Sequence, residues 1–203
     1  MTIQERSGGP AIGRIKDERV RFYLENFKMI EEWARVRTDA NQELHDLFLG
    51  MAEVLTVEAE SRGYDDVVVR VDEDTNPKKP RILIAKRDWF GSDDVTPAAT
   101  AIEWHQPPID KSGELYMYVG VRMGDRRRRD LRVAKYLSSL APALRRTLGS
   151  EWEKEAEAFP VWRWIQPQGD SLDELFIVEE ARRAAWTCWE ATSHHIDEAL
   201  GRA

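Results

Sequence analysis

Hydrophobic residues recur at three- and four-residue steps over two long stretches of the chain, and this period predicts two long helices. Helical character begins near Lys16, and the first helix is strongest from about 27 to 62. Gly63 follows it, and glycine suits the left-handed position just past a helix end. The apolar face of this helix carries Ile30, Trp33, Val36, Ala40, Leu44, Leu47, Met51, Val54 and Leu55.

The second long helix is predicted from about 172 to 200. Ser171 and Glu174 have the spacing of a capping box at its start. The apolar face keeps helical spacing to the end, so we expect this helix to be part of the core. Its members are Leu172, Leu175, Phe176, Ala184, Cys188, Thr192, Ile196 and Leu200.

Between the two helices the pattern becomes typical of β-strands. β-branched and aromatic runs, joined by short linkers rich in Asp, Asn, Pro and Gly, favour an antiparallel meander. The four runs cover residues 66–71, 81–86, 100–104 and 114–121. A fifth strand is predicted at 161–165 because prolines bound an aromatic run there.

A shorter helix separates the fourth and fifth strands. Asp125 is its predicted N-cap. We expect the helix to run to about Ser139, with Pro142 breaking or restarting it and Gly149 ending the unit.

The order of these elements predicts an α+β fold. We expect a mixed or mostly antiparallel sheet of five strands, with the long N-terminal and C-terminal helices packed on it. Residues 1–14 are rich in Gly and Pro and are expected to form a flexible arm, and residues 15–203 a single domain.

Composition excludes several classes of protein. The 203 residues are 42% hydrophobic and 33% charged, which is typical of a globular domain. A lone cysteine, Cys188, excludes an internal disulfide framework and a zinc ribbon. The N-terminus has no apolar signal region and the chain has no 18-residue apolar run, so we expect a cytoplasmic protein without membrane contact.

Positive charge is concentrated in one stretch of an otherwise acidic chain. Residues 122–148 contain nine basic residues against two aspartates, which is +7, so the remainder must carry −14 to give the total of −7. Basic residues at a helix start oppose the helix dipole, whereas a bound phosphate would reverse that penalty. The predicted polyanion site is Arg126, Arg127, Arg128, Arg129, Arg132 and Lys135. The alternative is that these residues pair with acidic groups, within the chain or across a dimer.

Carboxylates on and beside the predicted strands are candidate metal ligands. Asp72 and Asp74 open a polar loop that also suits a hairpin with Asx turns. Glu103 lies on the third strand, next to Trp104 and His105. On the last helix, Glu190, His194 and either Asp197 or Glu198 share a face, which suits a metal or, equally, a solvated surface.

The order of helix, strand meander, helix and strand over residues 27–165 resembles the core of the PD-(D/E)XK nuclease superfamily. The resemblance implies that an Asp and a Glu-x-Lys on neighbouring strands hold Mg²⁺, and that the lysine helps to position the attacking water. Glu103 would supply the Glu and Asp72 or Asp74 the Asp. His105 stands where the family usually has Lys, and Lys86 would replace that lysine from an adjacent strand.

Two further side-chain patterns have more than one interpretation. Trp162 and Trp164 are two apart on a strand and therefore point to one face. They are predicted to pack in the core, under the terminal helix with Trp186 or Trp189, the alternative being that they stack nucleobases. His45 is predicted to be a helix-surface residue.

Three functions follow as hypotheses. The first is a non-catalytic protein that binds nucleic acid or another polyanion through the arginines and needs no cofactor. The second is a metal-dependent nuclease, with catalytic Glu103, His105 and Lys86 and with Mg²⁺ on Asp72, Asp74 and Glu103. The third is a protein-interaction module or homodimer whose long helices form the interface.

Overall fold

The computed structural model describes residues 15–93, 95–110, 112–124, 130–153, 158–167, 169 and 171–202. The predicted flexible arm, residues 1–14, lies outside them. The described chain forms helices α1 (Glu18–Ser61), α2 (Leu131–Leu148) and α3 (Glu174–Leu200). It also forms strands β1 (Val67–Asp72), β2 (Arg81–Lys86), β3 (Ala98–Ile109), β4 (Leu115–Met123) and β5 (Trp162–Trp164).

The five strands form one sheet in the order β1-β2-β3-β4-β5, and every neighbouring pair is antiparallel. This confirms the predicted α+β class and makes the sheet fully antiparallel. Connections of 8, 11 and 5 residues join the first four strands, and each strand folds back antiparallel on the one before it. The connection from β4 to β5 contains α2.

Residue contacts divide the chain into two compact units, residues 1–40 and residues 41–203. In its described part the first unit is the N-terminal part of α1 with the three residues before it. The second unit contains the rest of α1, the whole sheet, α2 and α3.

In the second unit, one face of the sheet packs against helices. Phe48 of α1 meets the Trp104 ring edge-on, with ring centroids 5.5 Å apart. Arg163 of β5 pairs with Glu180 of α3 on the same side of the sheet. Because side chains alternate along a strand, the neighbours of Trp104 and Arg163 point to the opposite face, and that face carries most of the predicted site residues.

Gly120 of β4 is required by the close approach of β5. A Cβ atom placed there would lie 2.5 Å from the Val161 carbonyl oxygen and 2.8 Å from Trp162 Cα. Gly120 is the register partner of Trp162. The glycine therefore allows the short fifth strand to pair with β4.

The start and continuity of α2 differ from the sequence prediction. Asp130 is its N-cap and accepts hydrogen bonds from the backbone N–H groups of Arg132 and Val133. The predicted N-cap, Asp125, lies outside the described residues. The helix also continues through Pro142 to Leu148. Pro142 is exposed and the apolar face is buried on both sides of it, so packing outweighs the one backbone hydrogen bond that proline removes.

The start of α3 is also corrected. Asp173, and not Ser171, is the N-cap, and its carboxylate accepts from the Phe176 N–H at 3.0 Å. The predicted end of α1 is confirmed, because Gly63 has a φ of +75° directly after the last turn. Among the described helices, none is both long enough and apolar enough to cross a bilayer.

Candidate functional site

A row of polar and aromatic residues crosses the sheet on the face away from the helices. Successive register partners along this row are Asp72, Arg81, Glu103, Tyr118 and Trp164, one from each strand. The sequence predicts which residues of one strand share a face. Only the strand register in the structure shows that these five residues are aligned across the sheet.

Glu103 is at the centre of this row and is buried, with 3% of its surface exposed. The Tyr118 hydroxyl donates a hydrogen bond to its Oε1, and Arg122 Nε lies 3.3 Å from its Oε2. Burial, together with the negative charge of Glu103, raises the pKa of Tyr118 well above its usual value. Tyr118 therefore stays protonated and remains a donor to the carboxylate.

Asp72 is engaged by Arg81. Its Oδ2 accepts from Arg81 Nε at 2.8 Å and lies 2.7 Å from Nη2, so one carboxylate oxygen contacts two nitrogens of the guanidinium. Burial alone would raise the pKa of Asp72, but hydrogen bonds from Thr75 and Arg81 outweigh it and lower the pKa. Arg81 lies between Asp72 and Glu103 in the sheet, so the two carboxylates are two strands apart.

The loop that begins at Asp72 has the predicted Asx turns. Asp72 Oδ1 accepts from the Thr75 N–H at 3.2 Å, and Asn76 Oδ1 accepts from the Lys78 N–H at 3.1 Å. Asp74 is exposed in this loop. Within the described residues no group of three His, Cys, Asp or Glu side chains is arranged to hold a metal ion.

Lys86 is not brought to Glu103. It ends β2, five residues from Arg81 and on the other face of the sheet. There its Nζ lies 2.7 Å from Asp197 Oδ2 of α3. The hydrogen bond from Lys86 to Asp197 raises the lysine pKa against the opposing effect of burial.

His105 does share the face of Glu103, two residues further along β3. Its ring stacks on Tyr116, with centroids 5.0 Å apart. Burial and the nearby Lys79 charge lower the pKa of His105, while Glu103 acts in the opposite direction. The structure thus places two of the three predicted catalytic side chains on one face and the third, Lys86, on the other.

A cavity of about 290 Å³ opens on this same face. Asp72, Asp74 and three arginines contribute to its wall, and Gly124 contributes at the end of β4. The three arginines are Arg70, Arg81 and Arg122. Sequence analysis missed them as a group because they come from three different strands, and the only available signal was that each alternates with an apolar residue.

The predicted arginine run lies outside the described residues at its four central positions, Arg126 to Arg129. Arg132 and Lys135 are described, and both are exposed in the first turns of α2. Arg146 is exposed on the same side of the helix, because 14 residues are close to four helical turns. We call Arg132, Lys135 and Arg146 the α2 basic stripe.

The α2 basic stripe has two notable electrostatic properties. The helix from Leu131 to Leu148 contains four basic residues and no acidic one. Among the described residues, no acidic side chain forms an ion pair with any of the three residues of the stripe. Arg146 was counted in the basic stretch but not assigned to the site. Helical spacing from Lys135 was the signal that would have included it.

Trp162 and Trp164 do not pack under the terminal helix, so that prediction is wrong. They share a face, as predicted, but it is the Glu103 face, where their ring centroids lie 5.8 and 5.5 Å from that of Tyr118. The reason is that Arg163, between them, points toward α3. Both tryptophans are half-buried.

His45 is buried, so the surface prediction is wrong as well. Trp104 Nε1 donates to His45 Nδ1 at 3.1 Å, and His45 Nε2 lies 3.1 Å from Glu73 Oε1. An Nδ1 that accepts a hydrogen bond carries no proton, so the imidazole donates from Nε2. The candidate metal group on the last helix does not come together either. Glu190 pairs with Arg62, and Asp197 pairs with Lys86.

No protein-family model, curated protein or solved structure matches this chain.

Proposed function

We propose that this chain is a non-catalytic binding protein that contacts nucleic acid or another polyanion through the α2 basic stripe and the arginine run that precedes it. The observation that carries this proposal is that the stripe is exposed and has no acidic partner among the described residues. Three exposed cations share one helix face, and none of them has an acidic partner among the described residues.

Pairing within the chain is the alternative explanation of a basic segment, and the stripe argues against it. The chain has 37 acidic residues and a net charge of −7, so acidic partners are abundant. Other arginines use them, as Arg62, Arg81 and Arg182 do with Glu190, Asp72 and Glu58. A cationic face with no acidic partner in the described part of an acidic chain is suited to a polyanion, whose binding releases condensed counterions.

The arginine run directly precedes α2 in the chain. Gly124 lines the arginine-containing cavity and Asp130 caps α2. The segment between them contains Arg126, Arg127, Arg128 and Arg129. In the chain, the four arginines therefore come between a residue of the cavity and the helix that carries the stripe, and the proposal includes them as further basic groups.

We propose a non-catalytic role because Glu103, Asp72 and Lys86 are each engaged by other side chains. Glu103 is held by Tyr118 and Arg122, and Asp72 by Arg81. Lys86, which would have to help position water, lies on the opposite face with Asp197.

Fluorescence anisotropy with labelled single-stranded and double-stranded oligonucleotides, titrated from low to moderate salt, tests the proposal. We expect binding that weakens with salt and shows little sequence preference. Replacing Arg132, Lys135 and Arg146 by Gln should weaken binding to all sequences and make the slope of log affinity against log salt shallower by about 3 for duplex DNA. Replacing Arg126 to Arg129 by Gln should act in the same direction.

The matched control replaces three exposed basic residues from other elements of the second unit, Lys78, Arg87 and Arg202, by Gln. It makes the same change in net charge as the stripe variant. If polyanion binding depends on the stripe itself, the control should weaken binding much less. A parent protein that binds no oligonucleotide and no other polyanion, such as heparin, at low salt overturns the proposal. Equal losses in the stripe variant and the control also overturn it.

A further inference from the structure

Two aromatic side chains of the sheet face that carries Glu103 line a groove near the end of β5. Tyr116 of β4 lies on this face because it precedes Tyr118 by two residues. Trp164 of β5 is the register partner of Tyr118, so Tyr116 is its diagonal neighbour. The Tyr116 and Trp164 rings meet at an interplanar angle of 78°, with their centroids 5.7 Å apart. The two rings therefore form nearly perpendicular walls.

The groove has a volume of about 480 Å³. Glu114 at the start of β4 and Gln166 after β5 contribute the polar part of its lining. Of the described residues that line the groove, Glu114 alone carries a formal charge. Tyr116 and Trp164 are half-buried and Glu114 is exposed, so a ligand from solution can reach all three side chains.

The turn between β3 and β4 fixes the position of Glu114. The Asp110 N–H donates to the Glu114 carbonyl oxygen at 3.1 Å, and Asp110 Oδ1 accepts from the Glu114 N–H at 3.2 Å. The Tyr116 hydroxyl donates to Glu114 Oε2 at 3.3 Å. The carboxylate is therefore held at the hydroxyl end of one aromatic wall.

The electrostatics of the groove favour positive charge. The hydrogen bond to Glu114 raises the pKa of Tyr116, and the negative charges of Glu114 and Asp110 act in the same direction. The face of an aromatic ring is the negative side of its quadrupole. Two ring faces and a carboxylate at one groove all attract a cation.

We propose that this groove binds an alkylated ammonium group, with the cation against the Tyr116 and Trp164 rings and near the Glu114 carboxylate. Cation–π attraction to Trp and Tyr is the physical basis on which proteins recognise quaternary ammonium ligands. The proposal is independent of polyanion binding, because β4, β5 and their turns form the groove and α2 does not.

Other ligands fit the groove less well. A hard metal ion needs about six oxygen ligands, and the described lining offers side-chain oxygens from Glu114, Gln166 and Tyr116. A primary ammonium is strongly hydrated and would lose that hydration against the rings. Nucleobases can stack on aromatic rings, but Glu114 would repel the phosphates that accompany them. A weakly hydrated organic cation meets none of these obstacles.

Nuclear magnetic resonance titration of the full chain with choline tests the inference. We expect the indole N–H resonance of Trp164 to shift, and Trp164→Phe identifies that resonance among those of the eight tryptophans. The neutral isostere 3,3-dimethylbutan-1-ol has the shape of choline without its charge. It should bind at least about fivefold more weakly, because cation–π attraction is absent.

Three substitutions test the walls and the carboxylate. Tyr116→Leu should weaken choline binding about fivefold, whereas Tyr116→Phe keeps the ring and should stay within about twofold of the parent. Glu114→Gln should weaken binding about threefold. Glu114 is exposed, so this variant tests the inference even where Tyr116→Leu disturbs the sheet.

The matched control is Glu60→Gln, which makes the same change in net charge at an exposed position of α1 and should leave binding unchanged. A Trp164 resonance that does not move with choline up to about 50 mM overturns the inference. Equal affinity for choline and its neutral isostere overturns it, and so do equal losses in Glu114→Gln and Glu60→Gln. If Tyr116→Leu weakens oligonucleotide binding and leaves choline binding unchanged, the rings stack nucleobases and the inference is overturned.

Discussion

The Tyr118 hydroxyl donates a hydrogen bond to the Glu103 carboxylate from the directly opposed position on the neighbouring strand. Arg122, four residues further along β4 on the same face, lies 3.3 Å from the other carboxylate oxygen. Glu103 therefore has a neutral donor on one oxygen and a cation beside the other. This arrangement fits a carboxylate that stabilises the sheet more than one that is available to a metal or a substrate.

Replacing Glu103 by Gln should lower the free energy of unfolding by about 3 kcal/mol, because it removes the buried negative charge beside the Arg122 guanidinium. Urea denaturation measures the change. Glu114→Gln is the control, since Glu114 is exposed and accepts a hydrogen bond only from Tyr116 among side chains of the described chain. It should change stability by less than about 0.5 kcal/mol. Equal small effects at both positions would contradict a structural role for Glu103.

Mg²⁺ and Mn²⁺ at millimolar concentration should leave the melting temperature unchanged in the parent and in Glu103→Gln. The reason is that Asp72 and Glu103 are each occupied by an arginine and are two strands apart. Differential scanning fluorimetry with and without the metal checks this, because a ligand that binds only the folded state raises the midpoint. A rise in the parent that Glu103→Gln abolishes would favour the metal-dependent nuclease instead.

The Cys188 thiol should give the protein an alkaline loss of stability. Burial raises its pKa to about 12 from a usual value of 9.0. Because the folded-state pKa is the higher one, the contribution is fully present below pH 9 and is lost as the pH rises toward 12. Urea denaturation at pH 8 and pH 10.5 should show the parent losing about 2 kcal/mol more than Cys188→Ala. Equal losses of unfolding free energy in the parent and in Cys188→Ala would contradict the assignment of this pH dependence to Cys188.

Truncation after Gln168 should remove cooperative folding. The lost segment contains α3, whose Ile177, Ala184, Cys188 and Ile196 are all buried. Without them the helix-facing side of the sheet is exposed to water, and we expect an insoluble or molten product. Near-ultraviolet circular dichroism through a thermal scan checks this. A sharp transition near the parental temperature would show that α3 is dispensable.

Local patterns predicted most of the secondary structure. The three- and four-residue period gave both long helices, and the β-branched runs gave all five strands to within a few residues, except that β3 is longer, extending from Ala98 to Ile109. Helix starts were predicted less well. At α2 and α3 several polar residues near the start can cap a helix, and the sequence does not show which one the packed helix uses.

Burial of polar residues could not be predicted in the same way. His45 was expected at the surface because it lies beside the apolar stripe of α1. It is buried because the Trp104 N–H, 59 residues away, donates to it. Lys86 was expected near Glu103 because adjacent strands bring their residues together. It pairs instead with Asp197, 111 residues away.

The sequence by itself determined the α+β class, the period of each element and the face that each strand residue shares with its alternate neighbours. These properties depend on the spacing of apolar residues along a short stretch of chain. Only the tertiary structure decided that Asp72 pairs with Arg81, that Glu103 is held by Tyr118 and Arg122, and that the cations of α2 have no acidic partner among the described residues. The physical reason is that a charged side chain is satisfied by groups from distant elements, and strand register and helix packing, which no local pattern specifies, select those groups.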